Sequence, residues 1–234
     1  MKRFLLLTFC IFYQLSTLSA TIIRADDLTP IHKALYKVDK STLVLFDVDD
    51  VLITSVRIMV HHTDDKPSSK MSIKKHDHLP PHSPVMVRHY RSVDARIPEL
   101  VKMLNRKGIM TLGLTARKGS DADYTKKQLS DTGTVFKRWF SHHNGKSFKE
   151  FKSAKIKPLY KHGILFTGGE SKGAVLKSFL KRTGHRPRKI VFIDDLHGNL
   201  VSVDNAMKSL GIPTTCFHFL QAKSRQNVMT VYVY

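Results

Sequence analysis

Short runs of apolar residues alternate along the chain with longer stretches in which apolar positions recur at helical spacing. The apolar runs predict five strands, at residues 42–47, 109–114, 163–167, 189–193 and 213–219. One helical pattern opens at Thr29-Pro30, and those between the strands end at glycines, namely Gly108, Gly133, Gly184 and Gly211. Strands that alternate with helices in this way predict an α/β fold with a mainly parallel sheet.

One segment that departs from this alternation is 54–93. It holds six of the 13 histidines and four prolines, and its apolar periodicity is weak. We predict a small, exposed, partly irregular insertion that caps the acidic end of the first strand. The spacing of His76 and His78 is compatible with a transition-metal site. A solvated basic loop is the better interpretation, because no cysteine or glutamate lies nearby.

A second small excursion is predicted over about 135–160. This stretch is rich in aromatic and basic side chains, and Asn144-Gly145 inside it predicts a hairpin turn. The aromatic residues have two interpretations. They complete the core, which we favour, or they stack nucleic-acid bases beside the surrounding lysines.

The first 20 residues have the pattern of a secretory signal peptide. Lys2 and Arg3 precede a mostly apolar segment, and Ser19-Ala20 provides the small residues of a cleavage site. The apolar run is shorter than the ~20 residues that a membrane span needs, so a retained anchor is the less favoured alternative. We expect an exported protein, periplasmic or secreted. Its mature part would be one domain of residues 21–234 without a transmembrane segment.

The charge balance favours anionic partners. The chain has 39 Lys and Arg against 19 Asp and Glu, which gives a formal net charge of +20. Such an excess attracts phosphorylated molecules, nucleic acid or an anionic membrane surface, although charge alone names no substrate. Cys216 is the only cysteine outside the leader, so an internal disulfide is excluded. Its apolar neighbours favour a core residue over a nucleophile.

Polar residues follow four of the predicted strands directly. The first strand runs into Asp47 and Asp49, the second into Thr115, the third into a turn that reaches Lys172, and the fourth into Asp194 and Asp195. In a parallel sheet these four ends lie along one edge, where α/β proteins bind ligands. The sequence therefore predicts a shared site at this edge, although each residue type alone would be a weak signal.

The carboxylates at the first strand suit phosphoryl transfer. Asp47 and Asp49 project to one side of an extended backbone, and their mutual repulsion favours a bound cation. Asp47 is the candidate nucleophile, since a carboxylate can attack phosphorus and form an acyl phosphate. Asp49 is placed to protonate the leaving oxygen and later to deprotonate water. Asp50 has no catalytic assignment and is expected to serve the turn into the insertion.

The other strand ends supply a cation and its anionic ligand. Mg²⁺ best matches all-oxygen ligands, with Asp47 and Asp194 as ligands and Asp195 as a third ligand or an outer-shell partner. Thr115 and Lys172 are predicted to bind the phosphoryl oxygens by hydrogen bond and by charge. Taken singly, Thr115 could simply end a strand and Lys172 could be a surface lysine.

The same residues resemble the four motifs of the haloacid dehalogenase-like (HAD) superfamily. The matching stretches are Phe46–Leu52, Leu114-Thr115, Ser171–Gly173 and Phe192–Asp195. The overall run is similar to an exported, largely uncharacterised bacterial branch of that superfamily. The resemblance implies a Rossmann-like, three-layer core and Mg²⁺-dependent phosphatase chemistry.

By motif, the resemblance also assigns roles to single residues. Asp47 would be nucleophile and metal ligand, and Asp49 would be the acid/base and a ligand through its backbone carbonyl. Thr115 and Lys172 would bind phosphate, and Asp194 would complete the metal site, with Asp195 as the alternative direct ligand.

The favoured function is an exported, Mg²⁺-dependent phosphatase that hydrolyses a small phosphorylated molecule through an aspartyl-phosphate. One alternative is a phosphatase for nucleotides or nucleic-acid ends, which the basic charge would serve. The other is a secreted binding protein on a HAD scaffold. Against it stands the joint presence of five motif side chains, which a binding protein would not need together, namely Asp47, Asp49, Thr115, Lys172 and Asp194.

Overall fold

The described chain folds into a large mixed sheet flanked by helices and a smaller second sheet. The computed structural model describes residues 21–62, 85–222 and 228–233. In chain order the elements are β1 Thr21–Ala25, α1 Thr29–Tyr36, β2 Thr42–Phe46, β3 Ile53–His62, β4 Val85–Ser92, α2 Ile97–Arg106, β5 Met110–Thr115, α3 Ala122–Asp131, β6 Lys146–Ser147, β7 Leu159–Lys161, β8 Ile164–Phe166, α4 Lys172–Thr183, β9 Lys189–Asp194, α5 His197–Lys208, β10 Thr214–Phe219 and β11 Val228–Val233.

The large sheet has eight strands in the order β1-β10-β9-β2-β5-β8-β7-β6. Its first six strands are mutually parallel, whereas β7 pairs antiparallel with both β8 and β6. The predicted α/β fold with a mainly parallel sheet is therefore confirmed. The five predicted strands are present as β2, β5, β8, β9 and β10, with ends that differ by at most one residue.

Central strand β2 contributes to a core on each face of the sheet, which makes the architecture three-layered. Val44 and Phe46 pack in a cluster with residues of α1, α2 and α3. Leu43 and Leu45 pack in a second cluster with residues of α4 and α5. All five residues of β2 are buried, as expected for a strand covered on both faces. This burial holds the polar segment after Phe46 in a fixed place.

The smaller sheet was not predicted as such. β3 and β4 form an antiparallel pair, and β11 from the C-terminal part of the chain adds to β3 in parallel. The two arms of the 54–93 insertion are thus regular strands. His76 and His78 lie outside the described residues, and so does the predicted signal peptide at 1–20. Over the described ranges, no helix has the length and hydrophobicity that a membrane span requires.

The predicted hairpin turn at Asn144-Gly145 is wrong. These residues precede β6, and β6 reaches its partner β7 only through residues 148–158. The tight turn joins β7 to β8 at His162-Gly163, where both residues have positive φ, at 57° and 80°, as a type I′ turn requires. Asn144 Oδ1 accepts a hydrogen bond from His162 N at 2.9 Å. The Asn-Gly pair therefore contacts β7 and the turn after it, and it does not close a hairpin.

Candidate functional site

The polar residues that follow β2, β5 and β9 meet at one edge of the large sheet. β2 lies between β5 and β9, so its C-terminal end has a strand end on each side. Asp47 N donates to the carbonyl of Ile193 at 2.9 Å, which continues the β2–β9 ladder and aligns Asp47 with the end of β9. Lys172 reaches the same place from the first turn of α4.

Lys172 joins the two strand ends electrostatically. Its Nζ lies 2.8 Å from Asp47 Oδ1 and 2.6 Å from Asp194 Oδ2. The three side chains are nearly inaccessible, with exposures of 2% for Lys172, 8% for Asp47 and 0% for Asp194. Burial alone lowers the pKa of Lys172, but the two carboxylates outweigh it and raise the pKa above its usual value. The lysine is therefore charged in the folded protein.

The position of Lys172 depends on close packing of α4 against α5. Ser171 caps α4 by accepting a hydrogen bond from Ala174 N. Gly173 follows Lys172, and a Cβ at this position would lie 2.0 Å from the carbonyl oxygen of Ser202 in α5. Only glycine permits this approach, so Gly173 allows the helix start to sit where Lys172 reaches the carboxylates.

Both carboxylate oxygens of Asp194 are held by hydrogen bonds. Its Oδ1 accepts from Leu196 N at 2.8 Å, and Asn199 Nδ2 lies 3.0 and 3.1 Å from its two oxygens. Lys172 contacts Oδ2, so both oxygens have partners. Asn199 is in the first turn of α5, which means that the helix after β9 orients the acid at the end of β9.

Asp47 differs because its two oxygens have unequal surroundings. Oδ1 accepts from Val48 N at 2.7 Å and contacts Lys172, whereas no described residue donates to Oδ2. Burial, reinforced by the nearby charge of Asp194 and only partly offset by Lys172, raises the pKa of Asp47 to about 7. A carboxylate with one fixed and one open oxygen is oriented for bonding to a ligand.

Three carboxylates converge at this edge. Among the described residues, Asp47, Asp194 and Asp195 each offer an oxygen within 4.8 Å of the others, and all three residues are buried. When ionised, they carry three negative charges against the one positive charge of Lys172. A hard divalent cation fits this all-oxygen donor set, and its charge would offset both the burial and the repulsion that raise the pKa of Asp47. The cluster is thus a candidate metal site.

Asp49 lies outside the three-carboxylate cluster and is held by Arg117. Arg117 Nε donates to Asp49 Oδ2 at 2.9 Å, and Arg117 Nη2 donates to Asp49 Oδ1 at 2.7 Å. The side chain of Asp49 is 53% exposed, whereas that of Arg117 is only 15% exposed. The carboxylate of Asp49 therefore lies at the open side of the site, where the mostly buried guanidinium of Arg117 holds it.

Thr115 and Asp50 complete the strand ends. Thr115 is fully buried, and its Oγ1 accepts a hydrogen bond from Arg117 N at 3.2 Å. Asp50 has φ of 56°, and its Oδ1 accepts from Thr54 Oγ1 at 2.7 Å. The expected role of Asp50 in the turn into the insertion is confirmed. Thr115 as a phosphate ligand stays a prediction.

The sequence interpretation assigned no role to Arg117, Asn199 or Gln128. Arg117 is two residues beyond the end of β5, and Asn199 is five residues beyond Asp194. The usable signal was their presence just after strand ends that carry predicted site residues, Thr115 for Arg117 and Asp194 for Asn199. Gln128 gave no such signal, because it contacts Arg117 only through the packing of α3.

The other predicted candidates are structural. Cys216 is buried, and burial raises the pKa of its thiol to about 12, so it is no nucleophile at neutral pH. The aromatic residues of the second excursion are buried in the two core clusters or packed against them, namely Phe136, Trp139, Phe140, Phe148 and Phe151. The interpretation that they complete the core is favoured.

A comparison with models of protein families matches residues 24–232 to a family described as a protein of unknown function, DUF2608. The chain belongs to the DUF2608 family. A search of curated proteins finds no match. The match extends from β1 to β11, so this DUF2608 protein is covered over both sheets and over every residue of the candidate site.

Proposed function

We propose that this DUF2608 protein is a Mg²⁺-dependent phosphatase that hydrolyses a phosphomonoester through an aspartyl-phosphate on Asp47. The observation that carries the proposal is the asymmetry of Asp47. Lys172 and Val48 N hold Oδ1, while Oδ2 has no donor among the described residues. An oxygen aimed by such contacts beside a cation and a candidate metal site suits attack on phosphorus.

In the first step Asp47 Oδ2 attacks the phosphorus of the ester. The bond from Asp47 to phosphorus forms, and the bond from phosphorus to the ester oxygen breaks. Asp49 donates its proton to the departing oxygen, so that an alcohol leaves. Lys172, charged and within 2.8 Å of Asp47, offsets the negative charge that gathers on the phosphoryl oxygens.

In the second step Asp49, now a carboxylate, takes a proton from water as that water attacks the aspartyl-phosphate. Inorganic phosphate leaves, and Asp47 and the proton on Asp49 are both restored. Asp47, Asp194 and Asp195 would hold the Mg²⁺, with Asp49 contributing its backbone carbonyl. The ion supplies charge neutralisation between the carboxylates and the phosphate dianion.

The remaining parts of the proposal concern setting and substrate. We assign residues 1–20 to a signal peptide and the protein to export. The first strand of the small sheet, β3, begins at Ile53, four residues after Asp49, and we assign the small sheet a capping role over the site. A small phosphorylated molecule is the favoured substrate over a nucleic acid, because the aromatic residues of the second excursion contribute to the core.

The test uses purified protein of residues 21–234 with an aryl phosphate, assayed for phosphate release with Mg²⁺ and with chelator. We expect Mg²⁺-dependent turnover in the wild type and none in Asp47→Asn. In Asp49→Asn, water attack is slowed, and mass spectrometry should find one phosphoryl group on Asp47. A folded wild-type protein with no activity between pH 5 and 8 would contradict the proposal, as would full activity in Asp47→Asn.

A further inference from the structure

Arg117 forms the densest set of polar contacts at the open side of the site. Its Nε and Nη2 bind both oxygens of Asp49, at 2.9 and 2.7 Å. Its Nη1 donates to Thr125 Oγ1 at 2.9 Å and to Gln128 Oε1 at 2.6 Å. Burial lowers the pKa of Arg117, but the bonds to Asp49 outweigh it and leave the pKa raised, so the guanidinium is charged.

We infer that Arg117 is a positioning residue that holds Asp49 in the orientation needed for proton transfer to the leaving oxygen. The inference rests on the proposed phosphatase function. A carboxylate that is 53% exposed would otherwise rotate among several rotamers. The bidentate pair fixes both the place and the plane of the carboxylate, because the two donors are in a rigid fork. Each carboxylate oxygen keeps a second lone pair for the proton.

The support for this fork comes from α3. Thr125 is fully buried and Gln128 is 5% exposed, and both direct an oxygen at Arg117 Nη1. Gln128 Nε2 is buried without a hydrogen-bond partner. The side-chain amide is therefore oriented by the hydrogen bond that its oxygen accepts from Arg117, although its nitrogen then has no acceptor. A polar pair buried in this way on an otherwise ordinary amphipathic helix is explained by its action on Arg117 and, through it, on Asp49.

The orientation of an acid affects some leaving groups more than others. A 4-nitrophenolate ion leaves readily without a proton, whereas the alkoxide of an alkyl phosphate leaves very slowly unless it is protonated as the bond breaks. Loss of Arg117 should therefore slow an alkyl phosphate far more than an aryl phosphate. A residue that only stabilises the fold, or that binds the phosphoryl group common to both esters, would slow the two equally.

The experiment compares kcat/KM for 4-nitrophenyl phosphate and glycerol 3-phosphate in wild type and in Arg117→Met. This parameter reports the steps up to formation of the aspartyl-phosphate. We expect a loss on the order of 10²-fold or more for the alkyl ester and a loss below ~10-fold for the aryl ester. Arg117→Lys keeps the positive charge but lacks the two parallel donors. It should therefore also slow the alkyl ester more than the aryl ester, with a smaller loss of kcat/KM than Arg117→Met.

Arg96→Met is the matched control. Arg96 holds Asp94 with the same pair of nitrogens, at 3.0 and 2.9 Å, and neither residue contacts the carboxylate cluster among the described contacts. The ratio of the two kcat/KM values should stay at the wild-type value in this variant. If Arg117→Met does not fold, as judged by circular dichroism, Gln128→Met removes one anchor of the guanidinium and should shift the ratio in the same direction.

The possible failures are distinguishable. A wild type that hydrolyses neither ester overturns the proposed function and this inference together. An active wild type whose Arg117→Met variant loses both activities equally, or loses neither, overturns the positioning role and leaves the phosphatase function standing.

Discussion

Asp47 and Asp94 each expose 6% of their surface, yet their carboxylates have opposite surroundings. Asp94 accepts hydrogen bonds from Arg96 N, Nε and Nη2 and from Gln221 Nε2, all at 2.9 or 3.0 Å. These bonds, those of the Arg96 side chain foremost, hold its pKa well below the usual range. Burial and Asp194 raise the pKa of Asp47.

Burial alone does not identify a functional acid. Asp94 has donors on both oxygens, so its charge is stabilised by the fold and its bonds tie β4, α2 and the segment after β10 together. Asp47 has donors on one oxygen among the described residues and a like charge beside it. A carboxylate that lacks donors on one oxygen can bind a ligand there. The free energy that such an unpaired oxygen costs the folded protein is typical of a functional site.

The largest expected difference is in catalysis. Asp47→Asn should reduce phosphate release by a factor on the order of 10³ or more, because the nucleophile is lost. Asp94→Asn should leave turnover within about 3-fold of wild type. The substitution weakens hydrogen bonds to Arg96 and Gln221, which are not contacts of the reacting carboxylates. Phosphate-release assays on both purified variants measure the pair. Similar losses in the two variants would mean that Asp47 acts through the structure only.

The next difference concerns the cations. Lys172→Met leaves three buried carboxylates without their lysine, and it should lower the free energy of unfolding by about 3–5 kcal/mol at pH 8 without metal. Arg96→Met removes a side chain that is 53% exposed, so a loss below about 1 kcal/mol is expected. Urea denaturation in the presence of chelator gives both values. Equal losses would contradict the contrast between the two acids.

The pH dependence of stability should have opposite signs. The raised pKa of Asp47 means that the folded protein binds more protons than the unfolded chain between about pH 4 and 7. Its contribution therefore falls as the pH rises through this window, by an amount on the order of 4 kcal/mol, because each unit of pKa difference corresponds to about 1.4 kcal/mol. The lowered pKa of Asp94 gives stability that is present above pH 4 and is lost in more acidic solution.

Unfolding free energies of metal-free protein from pH 3 to 8 test these signs. Asp47→Asn should remove the decline between pH 4 and 7 and keep the loss at low pH. Asp94→Asn should do the reverse. A decline of the same size in Asp47→Asn as in wild type would show that another group titrates in that window.

The smallest expected effect is stabilisation by Mg²⁺. At ten times its dissociation constant, an ion that binds only the folded state adds about 1.4 kcal/mol. The increase should appear in wild type and in Asp94→Asn and disappear in Asp194→Asn, which loses a ligand of the candidate site. Thermal unfolding with and without Mg²⁺ is sufficient. An equal increase in all three proteins would place the bound ion elsewhere.

Much of the main sheet was predictable, because the signals are local. Strands β2, β5, β8, β9 and β10 are short apolar runs, and each helix between them ends one to three residues before a glycine of positive φ. The second sheet was not predictable in this way. β11 pairs with β3 although the two strands are far apart in the chain. Neither strand has a strong alternation of polar and apolar residues, so each depends on its partner's hydrogen bonds to become a regular strand.

The candidate site divides along the same line. By itself, the sequence determined that Asp47, Lys172 and Asp194 lie near one sheet edge, because the alternation of strands and helices orders the strand ends. Only the tertiary structure decided which carboxylates lack donors. Arg117 reaches Asp49 across 68 positions and Gln221 reaches Asp94 across 127, and no local pattern encodes such hydrogen bonds. Whether a buried acid stabilises the fold or is free to bind a ligand depends on donors that are distant in the sequence.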